Sequence, residues 1–300
     1  MQYHVDGHLV DADDAALPLD DRAVTLGDAV TDTVRVYEGT PFAWETHVGR
    51  LFDACTALGF DPGVGAAALR ERIETTLAAN DLADALVRVS ITRGRGDDVD
   101  PAAALPDAAR LRPPNDPDPS VVVVADPAPE SDAPPTLQTV HVRAIPPDAV
   151  PAAPLTHCRL DAVCAQAALR RAAPPDGDPA DEALLLDADG HLVSGTVCDL
   201  GFVDGEAVRL PALGDRMART ATRSVVRELA RDEGLPVADG AYTPADVRGA
   251  EEAFVVGPSV GIRPLARLDG VPVGGGPVTD LLSRRFADRV ASTCGRGREL

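Results

Sequence analysis

Apolar and polar positions alternate in short runs separated by Gly- and Pro-rich turns, interrupted by a few stretches of helical period. Residues 2–10 form a strand that turns at Gly7 and returns through His8-Leu9-Val10. A strand at Thr33–Tyr37 turns at Glu38-Gly39 into a second strand at Pro41–Trp44. Leu51, Cys55 and Leu58 share one face of a helix expected from about His47 to Leu58, with Thr46 as its N-cap. A second helix is expected over Ala66–Ala79 and a strand over Ala85–Thr92. Residues 97–119, rich in Asp, Ala and Pro, read as an irregular loop, and Val121–Val124 as a short buried strand.

The Pro-rich stretch 129–137 reads as a linker, dividing the chain into a smaller domain at 1–128 and a larger one at 138–300. The second half opens with a strand near Thr139–Ala144, and Pro146–Pro154 leads out of it. Leu160, Val163, Cys164 and Ala167 recur at helical spacing and predict one apolar helix face. Glu182–Asp187 reads as a strand that turns at Ala188-Asp189-Gly190 and pairs back through His191-Leu192-Val193. Helices follow from Arg223 to Asp232, with Val226 and Leu229 inward, and from Pro277 to Val290; residues 292–300 read as frayed. Strands and helices mixed in this way predict an α/β chain of α+β type with two domains, each a sheet packed with helices.

Composition narrows the function classes. The 300 residues carry 28 basic and 48 acidic side chains, a net charge of −20, which repels nucleic-acid phosphate and anionic membrane surfaces. All 28 basic residues are arginine; the sequence contains no lysine. Abundant Asp, no Lys and few aromatics predict a salt-adapted, halophilic surface. No apolar run approaches membrane-span length and no signal peptide opens the chain, so a cytoplasmic protein is expected. The five cysteines form no CxxC pair and the six histidines no HxxxH, which argues against a disulfide framework or a metal site.

Several stretches carry a family pattern in order. They are Gly27-Asp28 with Thr33 and Arg35; His47 with Arg50-Leu51; Arg88 to Arg93-Gly94; Leu155-Thr156-His157-Cys158-Arg159-Leu160; Ser194-Gly195-Thr196 to Phe202; Thr220-Ala221-Thr222-Arg223; and Glu252 to Ser259 with Pro264. Over roughly residues 2–290 the chain resembles the fold-type IV pyridoxal-phosphate enzymes: the class IV aminotransferases (branched-chain and D-amino-acid) and aminodeoxychorismate lyase. The resemblance implies the two-domain architecture of D-amino-acid aminotransferase, a homodimer, and pyridoxal phosphate as cofactor. It puts Arg50, Ala221 and Thr222 at cofactor-phosphate positions, Ser194 at the pyridine-nitrogen position, and Arg159, Thr31 and Tyr37 at substrate positions.

The departures fall where the cofactor reacts. Leu155 stands at the position of the family's imine-forming lysine, Ser194 at that of a glutamate, and Pro258 at that of a phosphate-binding threonine. Thr31 and Asp32 stand where an aromatic residue and Glu or Thr are usual, and Thr220 replaces a glycine. Leucine can neither form an imine nor shuttle a proton. The expectation is a family member that has lost lysine-imine chemistry, with its cofactor held non-covalently or absent. Two alternatives stand beside it. One is an active aminotransferase-like enzyme on non-covalent cofactor, with His157 as a weak substitute base. The other is a regulatory or binding paralogue that takes a small anionic metabolite at Arg50.

Overall fold

The computed structural model describes residues 1–96, 105–146, 148–151, 155–173, 178–213 and 220–295. The described residues form two compact units: Met1–Pro127 with Leu155–Cys158, and Ala128–Pro154 with Arg159–Leu300.

The first unit is one antiparallel sheet with helices on one face. Its elements are β1 (Gln2–Val5), β2 (His8–Asp11), α1 (Arg22–Leu26), β3 (Ala29–Tyr37), β4 (Thr40–Pro41), α2 (Trp44–Leu58), α3 (Ala66–Ala79), β5 (Ala85–Thr92), α4 (Pro106–Leu111) and β6 (Val121–Pro127). The strand order is β2-β1-β6-β5-β3-β4. Alternation works as the pleat requires. Val30, Val34 and Val36 of β3, Val87, Val89 and Ile91 of β5, and Val123 of β6 are buried, as are Leu51, Cys55, Leu69 and Ile73 of α2 and α3. The other face carries Thr31, Thr33, Arg35 and Tyr37 opposite Ser90, Arg88 and Leu86.

A buried ion cluster ties the strands to the loops. Asp28 Oδ2 accepts from Nε of Arg22 and Nε of Arg93, both at 2.8 Å. Arg22 also holds the end of α4, reaching the carbonyls of Arg110, Leu111 and Arg112. Arg93 holds the end of α2 through the carbonyls of Leu58 and Gly59.

The second unit has two sheets rather than the single one expected. Its elements are β7 (Thr136–Arg143), α5 (Leu160–Ala172), β8 (Glu182–Leu186), β9 (Leu192–Gly195), β10 (Asp199–Asp204), β11 (Ala207–Pro211), α6 (Thr222–Asp232), β12 (Val237–Gly240), α7 (Pro244–Arg248), β13 (Glu252–Gly257), β14 (Gly261–Pro264), β15 (Arg267–Leu268), β16 (Val271–Pro272) and α8 (Pro277–Cys294). One sheet runs β16-β15-β7-β8-β9, the other β12-β11-β10-β13-β14. Leu137, Leu184 and Leu186 of the first pack on Leu200, Phe202 and Val255 of the second. The opposite face of β7 and β8, with Val140, Ala183 and Leu185, packs on Ala165, Ala168 and Leu169 of α5. The unit is thus α5, sheet, sheet, then α6 and α8.

Several sequence expectations shift. β7 begins at Thr136, inside the expected linker, and residues 155–158 group with the first unit rather than with 138–300. The strand expected at Pro41–Trp44 is only Thr40–Pro41, because α2 starts at Trp44. Thr46 is no cap: Ala43 precedes the helix in the left-handed region, with no side-chain capping bond. β6 is seven residues long and half-buried, since a run of four valines hides its own alternation. The supposed loop at 97–119 contains α4, while 97–104 lie outside the described residues. α8 extends to Cys294, and the fraying expected at the C-terminus falls mainly on 296–300, also outside them. The predicted apolar face of α5 is inverted. Leu160 and Val163 are 70% and 61% exposed and Cys164 is exposed, while Ala162, Ala165, Ala168 and Leu169 face inward.

Candidate functional site

In the first unit the candidate residues lie on the two faces of β3. Asp32 is the one charged residue on its helix-facing side, among Val30, Val34 and Val36. Its Oδ2 meets Nδ1 of His47 at 2.9 Å and Nε of Arg50 at 3.3 Å. His47 and Arg50 are one turn apart on α2, so both reach the same strand position. The Thr33 backbone N–H donates to Oδ1 at 2.9 Å. Burial pushes the Asp32 carboxyl up, but His47, Arg50 and the Thr33 N–H outweigh it and hold the group below its ordinary pKa. Arg50, the expected phosphate ligand, thus commits Nε to an internal carboxylate.

Thr31 points to the opposite face. Ser90, its cross-strand neighbour, donates to Thr31 Oγ1 at 3.2 Å, and Nε2 of His157 lies 3.1 Å from Ser90 Oγ. Residues 155–158 run beside the start of β3. Thr156 bridges to Val30, and the His157 N–H donates to the Ala29 carbonyl at 3.0 Å. Burial, then the charge of Arg88, depresses the His157 pKa; Asp21 opposes them. Next in the chain, Cys158 Sγ would lie 3.1 Å from a Cβ at position 27, where Gly27 has φ +69°. Leu155 is 1% exposed: water reaches almost none of its side chain. Tyr37 ends β3 with its ring edge-on to Phe42 and the Arg35 guanidinium over its face at 4.7 Å.

In the second unit Ser194 is buried on β9, opposite Leu185. The turn after it is held by Glu182. Its Oε1 accepts from the Thr196 N–H at 2.8 Å and hydroxyl at 2.6 Å, and its Oε2 accepts from the Val197 N–H at 3.2 Å. Gln166 of α5 bridges Glu182 and Thr196. Arg159, the expected substrate residue, donates to the Thr196 carbonyl. Ala221 and Thr222 open α6, both buried. Asp199, the first residue of β10, accepts from the Thr220 N–H and hydroxyl at 2.9 and 2.8 Å.

Sequence reasoning missed Ser90, Glu182 and the role of Asp199. The available signal was a charged residue at the mouth of an apolar run, EALLL and DLGFV. A carboxylate there must find donors.

The family profile described as Amino-transferase class IV matches residues 29–268. A putative branched-chain-amino-acid aminotransferase of Methanocaldococcus jannaschii is 29% identical over 293 residues, 96% of each chain. The aminodeoxychorismate lyase of Bacillus subtilis is 25% identical over 282 residues, 90% of this chain and 88% of that one. A branched-chain aminotransferase of Thermoproteus uzoniensis, solved with norvaline, superposes with a TM-score of 0.81 at 24% identity, covering 96% of this chain and 93% of that one. This chain has the fold of that structure, and by the span of the profile match it belongs to the class IV aminotransferase family.

Proposed function

We propose that this chain is a class IV aminotransferase-family protein that has given up lysine-imine chemistry while keeping the family framework. One observation carries the reading: the sequence contains no lysine, and Leu155, at the imine position of the resemblance, is an enclosed side chain. Pyridoxal phosphate needs an amine to anchor its aldehyde and a base to move the substrate proton. Leu155 supplies neither, and the hydroxyl of Ser194 carries no charge with which to hold a pyridinium. The residues present do not fit a covalently held cofactor.

Supporting context is physical. Among the described residues no helix is long and apolar enough to cross a membrane. The charge of −20 without lysine suits a salt-adapted cytoplasmic protein. The outward Leu160 and Val163 suit burial against a second copy in a homodimer. Light scattering of the protein and of a Val163→Asp variant tests the dimer, and an unchanged mass would refute this placement of it.

The deciding experiment is reconstitution in concentrated KCl with pyridoxal phosphate, followed by borohydride reduction and intact mass measurement. The expected result is no visible imine band and, by peptide mapping of the reduced protein, no covalent adduct beyond the N-terminal α-amine. A reduced adduct inside the folded chain would overturn the proposal.

A further inference from the structure

The eleven-residue helix α6 starts at Thr222. The backbone N–H groups of its first turn have no helical acceptors, and the helix dipole makes that end positive. Such an end is suited to an anion. In this chain a carboxylate bonds Thr220, two residues before that end.

Asp199 is wholly buried. Its Oδ2 takes both donors of Thr220, the backbone N–H and the hydroxyl, two residues before the helix begins. Its Oδ1 has no hydrogen-bond partner among the described residues. The second residue of α6 is Arg223, also buried, with Nη1 likewise unpartnered. Nη2 of Arg223 donates to the Pro211 carbonyl at 2.6 Å and meets Asp239 Oδ1 at 3.3 Å. Burial disfavours the charge on Arg223, and the negative charge of Asp199 is the largest influence restoring it. The Asp199 carboxylate is thus answered by the two Thr220 donors, just before α6, and by the Arg223 charge.

The family motif that the chain resembles at Ser194–Phe202 carries a neutral Asn where Asp199 stands, and Thr220 stands at a glycine, so both positions depart from the resemblance. The two changes meet in one interaction, because the Thr220 hydroxyl is a donor that glycine lacks. Asn in place of Asp199 would offer Thr220 an acceptor oxygen with no charge. Aspartate adds a full negative charge in a buried setting, where an ion is poorly screened. A second anion brought to this helix end would meet like charge and compete for the same positive field.

We propose that Asp199 is a built-in anion at the start of α6, and that the chain thereby excludes phosphate, inorganic or ester-bound, from that helix end. The exclusion is separate from the loss of imine chemistry, since inorganic phosphate has no aldehyde and needs no lysine.

The test is thermal unfolding of the full chain in concentrated KCl, with and without inorganic phosphate at matched ionic strength. Wild type should show no phosphate-dependent rise in Tm. Asp199→Asn should gain a rise of several degrees, as a ligand that binds only the folded state produces, and Thr222→Val in that background should remove it. If Asp199→Asn does not fold, Asp199→Ser keeps a small acceptor and takes its place. A rise in wild type that Thr222→Val abolishes would overturn the proposal, and so would the lack of any gain in the Asp199 variant. An imine formed with pyridoxal phosphate would sink the proposed function yet leave this measurement unaffected.

Discussion

Replacing Asp32 with Asn should cost far more than an ordinary surface change. The carboxylate lies 2.9 Å from Nδ1 of His47 and 3.3 Å from Nε of Arg50, and all three side chains are largely buried. At 3.3 Å and an effective dielectric near 20, the attraction to Arg50 alone is about 5 kcal/mol, before desolvation is set against it. Removing one partner of a buried pair typically costs about 3–5 kcal/mol, because the other charge stays behind uncompensated. Asn keeps one acceptor, so the expected loss is about 2–4 kcal/mol. Trp44, the only tryptophan, is the buried first residue of α2 and reports on this unit by fluorescence during urea unfolding. A double-mutant cycle with Arg50→Ala then isolates the coupling, expected at about 1–3 kcal/mol. The pH dependence has a fixed sign. Asp32 has a depressed folded pKa, so its contribution is complete above the ordinary carboxylate value, about 3.9, and is lost as pH falls through the lower folded value. The gap between wild type and variant should be full at pH 7 and close below about pH 4. Concentrated salt should leave it nearly intact, since buried charges are weakly screened. A loss under about 0.5 kcal/mol, the level of an exposed helix pair such as Arg70–Glu74, would refute the reasoning.

Further outcomes follow from single positions. Gly94→Ala should cost about 2–4 kcal/mol in urea titration, since residue 94 has φ +80° and an added Cβ would lie 1.9 Å from the Asp118 carbonyl oxygen. Leu155→Lys should destabilise by about 3 kcal/mol or more at neutral pH and recover as pH rises, because an enclosed ammonium gives up its proton more readily than one in water; a Tm equal to wild type would show position 155 to be open. Cys55, whose thiol is pushed up to about 12 chiefly by burial, should resist a thiol reagent at pH 8 until urea unfolds α2, and mass spectrometry of the alkylated peptide reads this.

Local signals told the truth where one face of an element met the core. Strand β5 and helix α3 fall on their expected residues, because each has an unambiguous period and clear turn chemistry at its ends. Helix α5 misled because LDAVCAQAALRRA has apolar residues on two arcs. Size suggested that Leu160 and Val163 face inward, yet the sheet of β7 and β8 packs on the small arc of Ala165, Ala168 and Leu169. The second sheet of the larger unit was hidden for another reason. β10 and β13 pair across about fifty residues, and no local pattern assigns a buried strand to one sheet rather than another. The Asp199–Thr220 contact likewise spans 21 residues. The sequence displayed both departures from the family pattern but not that they touch.

That contact suggests how to judge the family framework in a chain that contains no lysine. A polar group kept for a ligand should leave donors uncommitted, whereas one kept for the fold should have them occupied within the chain. Arg50 commits Nε to Asp32, Arg159 donates to the Thr196 carbonyl, and Thr220, just before α6, donates to the Asp199 carboxylate. Arg50 and Arg159, which the resemblance assigns to binding, thus each make a contact within the chain. Once a charge is buried, removing its partner is costly, so such pairs persist after the reason for the original charge has passed. Arginines at family-pattern positions that stabilise the fold through such pairs would preserve the likeness whatever the chemistry, which is why likeness of fold does not settle activity. If Asp32→Asn, Thr196-turn variants and Asp199→Asn were all neutral to stability, the internal partners would be incidental, and the family-pattern arginines would again need a ligand to explain them.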